Sequence, residues 1–425
     1  MPSTNFYANG GVINDFNEEF NRDIFPIEVV GLTNQKMDTS FGLLSVCINI
    51  NHTKISDLKI QLMSPDGTTI WLTNRNGGNN GQDYQNTCFT PKGFSGYIHE
   101  AKAPFVGEYT PDSRMEYINN GQSPNGFWYL IIEDLHKENI GKLNSVSLKF
   151  GKNPVFNTTS SCTVNNANAC QCSYPQKDSL LLPDLVILPS FSVNQLQEYS
   201  YNDLQYPGQV RVAASIANIG EGPMEIKGSG KWYCGNTLVD SGTRCTNNEL
   251  ARQTILQVIY KKVNGKLVKI YKEAGTLYFD EKPGHRHYHV DNWIELRIVK
   301  KIRTKKRVVQ KIIGKSNKVS YCLFDTGICL ENDNLCKINN VGYNVQNLKN
   351  YGLGSYTDCH SQSQGISVGG YDTYGMLYEG QAIQLPKNLP MGWYYLQIEV
   401  DPLHLYKESK SSNNLFEKKI FLQKQ

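Results

Sequence analysis

The stretch Gly284-His285-Arg286-His287-Tyr288-His289-Val290-Asp291-Asn292-Trp293 holds three of the chain's eight histidines, spaced two apart. Tyr288, Val290, Trp293 and Ile294 favour extended backbone. Alternate side chains then share a face, so all three imidazoles would lie on one side. At about 3.3 Å per residue, His285 and His289 would stand roughly 13 Å apart. They can meet on one metal only if the strand twists or bends, with His287 closing the middle. Neutral imidazole suits copper, zinc, iron and nickel, so the pattern points to a first-row metal without choosing among them. A polar strand face or a chance surface cluster is the plainer alternative.

The same alternation runs outward in both directions and makes the fold class all-β. Leu44, Val46, Ile48 and Ile50 alternate with polar neighbours, and Ile55-x-Asp57-Leu58-x-Ile60-x-Leu62 follows. The segment Ser64-Pro65-Asp66-Gly67-Thr68 is a turn, from which Ile70-Trp71-Leu72 returns. Phe127 to Asp134 and Gly141 to Leu148 read as two hydrophobic strands forming the last hairpin of a sandwich. Downstream, Asn264-Gly265 between Ile255–Tyr260 and Val268–Tyr271 is a strong two-residue hairpin signal. A chain of 425 residues is too long for one core. The expected division is residues 1–152, a linker at 153–182 rich in Asn, Ser, Thr and Pro, and residues 183–425.

Composition narrows the class further. With a net charge of +4 and 19% charged residues, nothing demands nucleic acid. The 25 Tyr, 16 Phe and 36 Gly suit short strands and turns. No apolar run approaches the roughly 18 residues of a membrane span. Met1-Pro2-Ser3-Thr4-Asn5 has no basic flank or apolar core, so no signal peptide is visible. Even so, 11 cysteines argue for an oxidising compartment and a secreted, extracellular protein. Expected pairs are Cys47–Cys88, Cys234–Cys245, Cys322–Cys329 and Cys336–Cys359. Cys162, Cys170 and Cys172 leave one thiol over, with zinc as the competing reading. From Lys300 to Lys318 the chain is strongly basic, either a solvated hairpin or a patch that attracts an acidic surface.

Behind the histidines come Lys318-Val319-Ser320-Tyr321-Cys322-Leu323-Phe324-Asp325 and Gly370-Tyr371-Asp372-Thr373-Tyr374, then Gly392-Trp393-Tyr394-Tyr395 and Glu408 with Asn413-Asn414. In this order the segments, from Asp184 onward, resemble the catalytic domain of the lysyl oxidase family of copper amine oxidases. The resemblance implies a β-sandwich with long loops, with His285, His287 and His289 as copper ligands. It makes Lys318 and Tyr374 the precursors of a built-in cofactor, lysine tyrosylquinone, and places Asp372 where a site carboxylate is expected. Lys315 is a rival to Lys318 that the spacing to Cys322 disfavours. Two cysteines usual in the family are Gly284 and Gly370 here. A histidine found after the metal run in animal enzymes is absent, with Glu295 the nearest substitute. The resemblance also implies a weak calcium site at Asp184, the Leu185 carbonyl, Glu408, Asn413 and Asn414. There Lys410 replaces an aspartate, and its ammonium would stand in for the cation.

The first half resembles the P domain of proprotein convertases, a jelly-roll sandwich, through Leu62-x-Ser64-Pro65-x-Gly67-Thr68, Asn125-Gly126-x-Trp128-x-Leu130 and Gly141-x-Leu143-Asn144-x-Val146-x-Leu148. Cys88-Phe89-Thr90-Pro91 lacks the acidic pair many P domains carry, which weakens calcium there, and this half holds no Gly-x-Ser-x-Gly elbow. This half reads as an accessory. Together the resemblances imply a secreted amine oxidase that uses molecular oxygen on primary amines, the lysine side chains of extracellular proteins among them. Two other readings stand beside it: a catalytically silent adhesion or matrix-binding protein on the same fold, and a metal enzyme without a quinone.

Overall fold

In the computed structural model of the protein, residues 3–17, 22–78, 80–154, 160–173, 180–305, 307–316, 319–331 and 334–423 are described. The chain is all-β, as its alternation requires, and divides into two compact units. One is Met1–Thr158 together with Lys282–His285; the other is Thr159–Glu281 with Arg286–Gln425. No helix among the described residues is long and apolar enough to cross a membrane.

The first unit is a sandwich. Its five-stranded sheet runs Thr4–Ile13, Gly141–Lys152, Phe41–His52, Tyr84–Phe89, Phe105–Tyr109. Its four-stranded sheet runs Asp23–Val29, Gly126–Asp134, Leu58–Met63, Thr69–Asn74. Alternate residues of each sheet (Val46, Ile48 and Ile50 from one, Ile60, Leu62 and Trp128 from the other) bury in one shared core. Trp128 meets Phe150 edge-on at 5.5 Å and donates its indole N–H to the Pro124 carbonyl at 2.9 Å. Gly126–Asp134 and Gly141–Lys152 therefore do not form the expected hairpin. Each has one apolar face, and they satisfy it by lying in opposite sheets across the core rather than edge to edge. Cys47 and Cys88 lie directly opposite each other on paired strands and are bonded, as expected.

The second unit packs a large antiparallel sheet against smaller ones. Along the main path lie Thr237–Val239, Met224–Cys234, Arg252–Val263, Lys266–Asp280, His287–Arg303, Gly392–Val400 and Leu415–Leu422. A four-stranded sheet of Leu185–Ile187, Ala214–Asn218, Gly370–Tyr374 and Gly327–Ile328 shares its core. Asn264 and Gly265, with φ of 48° and 73°, close the expected hairpin between Arg252–Val263 and Lys266–Asp280. Cys162 and Cys170 are bonded and buried with Leu181, Val258, Tyr260 and Leu267, so this part of the 153–182 stretch is folded into the second unit's core. Cys172 is the free thiol.

Two disulfide expectations are corrected. Cys322 pairs with Cys359 and Cys329 with Cys336, while Cys234–Cys245 forms as expected. Proximity in sequence misled here. Cys322 leaves the strand Val319–Tyr321, which pairs with the histidine strand, and Cys359 lies at that same strand, its carbonyl accepting from the Tyr288 amide.

Trp128→Ala would leave a large cavity between the first unit's sheets and orphan the Pro124 carbonyl. The expected cost is about 3–5 kcal/mol, read as a lower urea midpoint with unchanged m by far-UV circular dichroism.

Candidate functional site

The histidine strand begins at His287, so His285 is not on it. Gly284 and Arg286 take φ of 78° and 55°, bending the chain before the strand starts. That bend solves the 13 Å problem of a straight strand. The ligating nitrogens of His285, His287 and His289 all lie within 4.8 Å of one another. His287 and His289 are on one face, with their Nε2 atoms 2.9 Å apart. Two nitrogens bonded to one metal at about 2.0–2.1 Å each come to a similar separation, so the donor set and its spacing fit a first-row ion. On the neighbouring strand Asp280 is registered opposite His287 and Tyr278 opposite His289. An Asp280 oxygen stands 3.8 Å from His289 Nδ1, placed to orient that ring.

Tyr374 enters from the other sheet. Its strand, Gly370–Tyr374, pairs with Ala214–Asn218, which turns Gly370, Asp372 and Tyr374 to one face. Its ring is buried, 6.5 Å from the His289 ring and edge-on to it. The hydroxyl accepts a hydrogen bond from the Cys322 amide at 2.8 Å. Tyr321 stacks on the ring at 3.6 Å with planes 11° apart, and Tyr378 meets its edge. Tyr321 is itself held by the Gln381 amide, which donates to its hydroxyl at 2.7 Å. Burial, and then the neighbouring Asp372 carboxyl, push the Tyr374 phenol well above its usual range.

Asp372 is fully buried, and neither carboxyl oxygen has a hydrogen-bond partner among the described residues. Burial first, then the nearby Asp325 carboxyl, raise it well above the ordinary carboxylate range. The Thr373 amide, close but outside hydrogen-bond geometry, offsets this only in part. Gly370 bears on one departure noted above: a Cβ there would overlap Asp325 Oδ1 and Ser367 Oγ, so a cysteine would have to displace both side chains. Lys318 lies outside the described residues. Lys315 pairs with Glu295 at 3.3 Å, and Glu295 also holds Arg297, so neither faces the tyrosine. Tyr321, Asp280 and Gln381 were missed by sequence reasoning. Only Tyr321 carried a signal, standing in the aromatic slot before Cys322.

The five residues of the expected calcium site come together elsewhere in this unit. Glu408 accepts from the Leu185 amide and from Asn414 Nδ2, each at 2.7 Å, and Asp184 accepts from Asn413 Nδ2 at 2.7 Å. The Oδ1 atoms of Asn413 and Asn414 are buried without partners among the described residues. Lys410 is exposed; burial raises the Asp184 carboxyl and the Lys410 charge acts to lower it, while the two asparagine amides make the direct contacts. Burial pushes the Glu408 carboxyl up to about 7.

Comparison with known proteins matches both halves. Residues 243–425 match the lysyl oxidase family model, a later start than Asp184, and residues 42–150 match the proprotein convertase P-domain. The chain is 29% identical over 131 residues to protein-lysine 6-oxidase of Homo sapiens, an alignment covering 31% of this chain and 25% of the relative. The same identity holds for the Sus scrofa protein, of which 42% is covered. The chain thus spans between a quarter and about two-fifths of these curated relatives. Crystal structures of an Aeromonas sobria serine protease, alone and with its chaperone ORF2, overlap at a TM-score of 0.21 and 18% and 17% identity. They cover 36% of this chain and 26% of theirs, and at that score the likeness carries no argument.

A carboxyl whose folded pKa exceeds its unfolded value binds its proton more readily in the native state. Glu408, shifted from 4.5 to about 7, therefore favours the fold at low pH and withdraws that support as pH rises from about 4.5 through 7. The change amounts to at most about 3 kcal/mol. Thermal melts of chelator-treated protein should show stability falling across this window, with a flatter slope in Glu408→Gln. Added calcium that reverses the slope would reveal a cation at the cluster.

Proposed function

We propose that the second unit is a secreted, copper- and quinone-dependent amine oxidase. It would convert primary amines, lysine side chains of extracellular proteins among them, to aldehydes, consuming oxygen and releasing ammonia and hydrogen peroxide. The observation that carries this reading is the convergence of His287 and His289 with the buried ring of Tyr374, delivered from two different sheets. His285, His287 and His289 would hold copper, and Lys318 with Tyr374 would be the source of lysine tyrosylquinone. Copper would supply one-electron chemistry with oxygen, and the quinone an electrophile able to accept an amine's electrons, which amino-acid side chains lack.

The chain's own residues do the rest. Cys322 N–H fixes the Tyr374 oxygen, and Tyr321 fixes the plane of its ring, so one edge is presented to the histidines. Asp372 lies on the same strand face as Tyr374, and neither of its oxygens accepts a hydrogen bond among the described residues. Once ionised, a carboxyl held above its usual range is a stronger base than an exposed one, suited to remove the α-proton of a bound amine. The disulfides and the lack of a membrane-spanning helix among the described residues suit an extracellular protein. Asp184, Glu408 and the two asparagines offer hard oxygen donors of the kind calcium takes. Both carboxylates already accept amide N–H groups, so calcium there would be weak. The first unit serves as an accessory.

Copper-loaded, oxygen-exposed protein should release peroxide from a simple alkyl amine, and peptide mapping should find the Lys318 and Tyr374 segments joined. His287→Ala, Tyr374→Phe and Lys318→Ala should each abolish the joined peptide and bring amine oxidation to background. Amine oxidation with Tyr374 still an ordinary tyrosine would overturn the quinone, and a fully loaded protein inert to amines would favour the silent binding reading.

A fragment starting at Thr159, before the buried Cys162–Cys170 bridge, should keep a rate comparable to the whole chain, measured by the same peroxide assay. A soluble, copper-loaded fragment without activity would sink the division of labour.

A further inference from the structure

The strand that opens on the histidines closes, roughly 50 Å away at about 3.3 Å per residue, on a feature the amine chemistry does not use. There His287–Arg303 pairs with Val308–Lys315 as a hairpin. From Lys300 to Lys315 its sequence holds eight cations and no carboxylate. At the base of the tip Thr304 donates its N–H to the Arg307 carbonyl at 2.9 Å, and Arg307 donates its own to Thr304 Oγ1 at 3.1 Å. Lys301 and Lys315 find Glu417 and Glu295 on other strands, and Lys300 lies over the Tyr394 ring. Arg303, Lys305, Arg307 and Lys311 are exposed and have no carboxylate partner among the described residues. Lys300 and Lys311 even stand directly opposite each other, an arrangement that costs stability unless an anion compensates it.

Aliphatic side chains sit among these cations in full view of solvent. Ile302 is 46% exposed, Val308 57%, Val309 37% and Ile312 54%. Ile302 is registered opposite Val309, and Arg303 opposite Val308, so apolar and cationic groups alternate around one tip. The cations alone would suit any polyanion. The aliphatics narrow the choice, because a charged polysaccharide or nucleic-acid strand would leave them in water. At a bilayer they enter the boundary between headgroups and acyl chains while the cations meet phosphates.

We propose that the tip of this hairpin docks the protein peripherally on an anionic lipid surface. Arg303, Lys305 and Arg307 engage headgroup phosphates, and Ile302, Val308 and Val309 sit just beneath them. The placement suits an enzyme of cationic amines, because the positive field lies several Debye lengths from the histidines and does not repel substrate. The proposal itself does not rest on the amine-oxidase reading.

The test is sedimentation of the full chain with phosphatidylcholine vesicles containing phosphatidylglycerol, beside pure phosphatidylcholine vesicles and dextran sulfate. The protein should sediment with the anionic vesicles and not with the pure phosphatidylcholine ones, and less so in high salt. The R303Q/K305Q/R307Q variant should lower vesicle partitioning at least about tenfold. The I302S/V308S/V309S variant should weaken vesicle binding comparably while leaving dextran sulfate binding unchanged. Unaltered circular dichroism melts would show that both variants fold, as expected for exposed positions. The proposal is overturned if the anionic vesicles do not bind the protein, or if binding ignores both variants. Vesicle binding that follows the glutamine variant but not the serine one would also overturn it, in favour of a simple polyanion site.

Discussion

The arrangement depends on one strand pairing. Val319–Tyr321 lies against the histidine strand, with Tyr321 registered opposite Val290. This places the Tyr321 ring and the Cys322 amide where Tyr374 arrives from the second sheet. Tyr374 then has its oxygen bound to a backbone N–H and its face covered by Tyr321. A register slip of one residue would turn Tyr321 away and remove both contacts at once. The bond between Cys322 and Cys359 holds the same place from the other side, since Cys359 is hydrogen-bonded to Tyr288 between two of the histidines. Buried strand register thus fixes His287, His289, Tyr321 and Tyr374, while His285 depends on the bend before the strand.

Much of this could be read from residues wherever the period is local. The alternation of Leu62, Ile60 and Leu58, the Asn264-Gly265 turn, and the short loop from Cys234 to Cys245 each depend on neighbours in sequence. What could not be read depends on which sheet a strand joins. Gly126–Asp134 and Gly141–Lys152 have equivalent patterns, and nothing in either one says that they face each other across a core instead of pairing. Cys322 failed for the same reason, its partner being chosen by the strand it leaves. The three histidines were legible as a set, but not the device that gathers them. Arg286 at φ 55° is a conformation that few arginines adopt, and its identity gives no hint of it.

A second irregularity on the histidine strand is equally invisible in composition. Asn292, with φ 55°, interrupts the pairing with Val319–Tyr321 between Val290 and Ile294. The histidine strand carries two more residues than its partner between these points, so the alternation keeps its phase: Val290, Ile294, Leu296 and Ile298 all bury in one core, and the bulge lets Trp293 join them. Asparagine tolerates the left-handed region better than most residues, which makes Asn292 the one local cue to the break.

The buried carboxyls of the second unit separate into two kinds by what surrounds them. Glu408 receives a backbone N–H and an amide N–H, yet burial still lifts it to about 7, so even well-supplied donors do not offset lost water there. Asp372 accepts no hydrogen bond among the described residues and has a second acid, Asp325, beside it, and burial holds it well above its usual range. Asp325 is the better supplied of that pair, accepting from the Ser367 amide at 2.8 Å, at a point where Gly370 leaves room for it. A fold selected for stability alone would have replaced Asp372, because a buried carboxyl beside a second acid is costly. It stands instead on the same strand face as Tyr374, and that is the strongest physical ground for giving it a part in proton transfer rather than in structure.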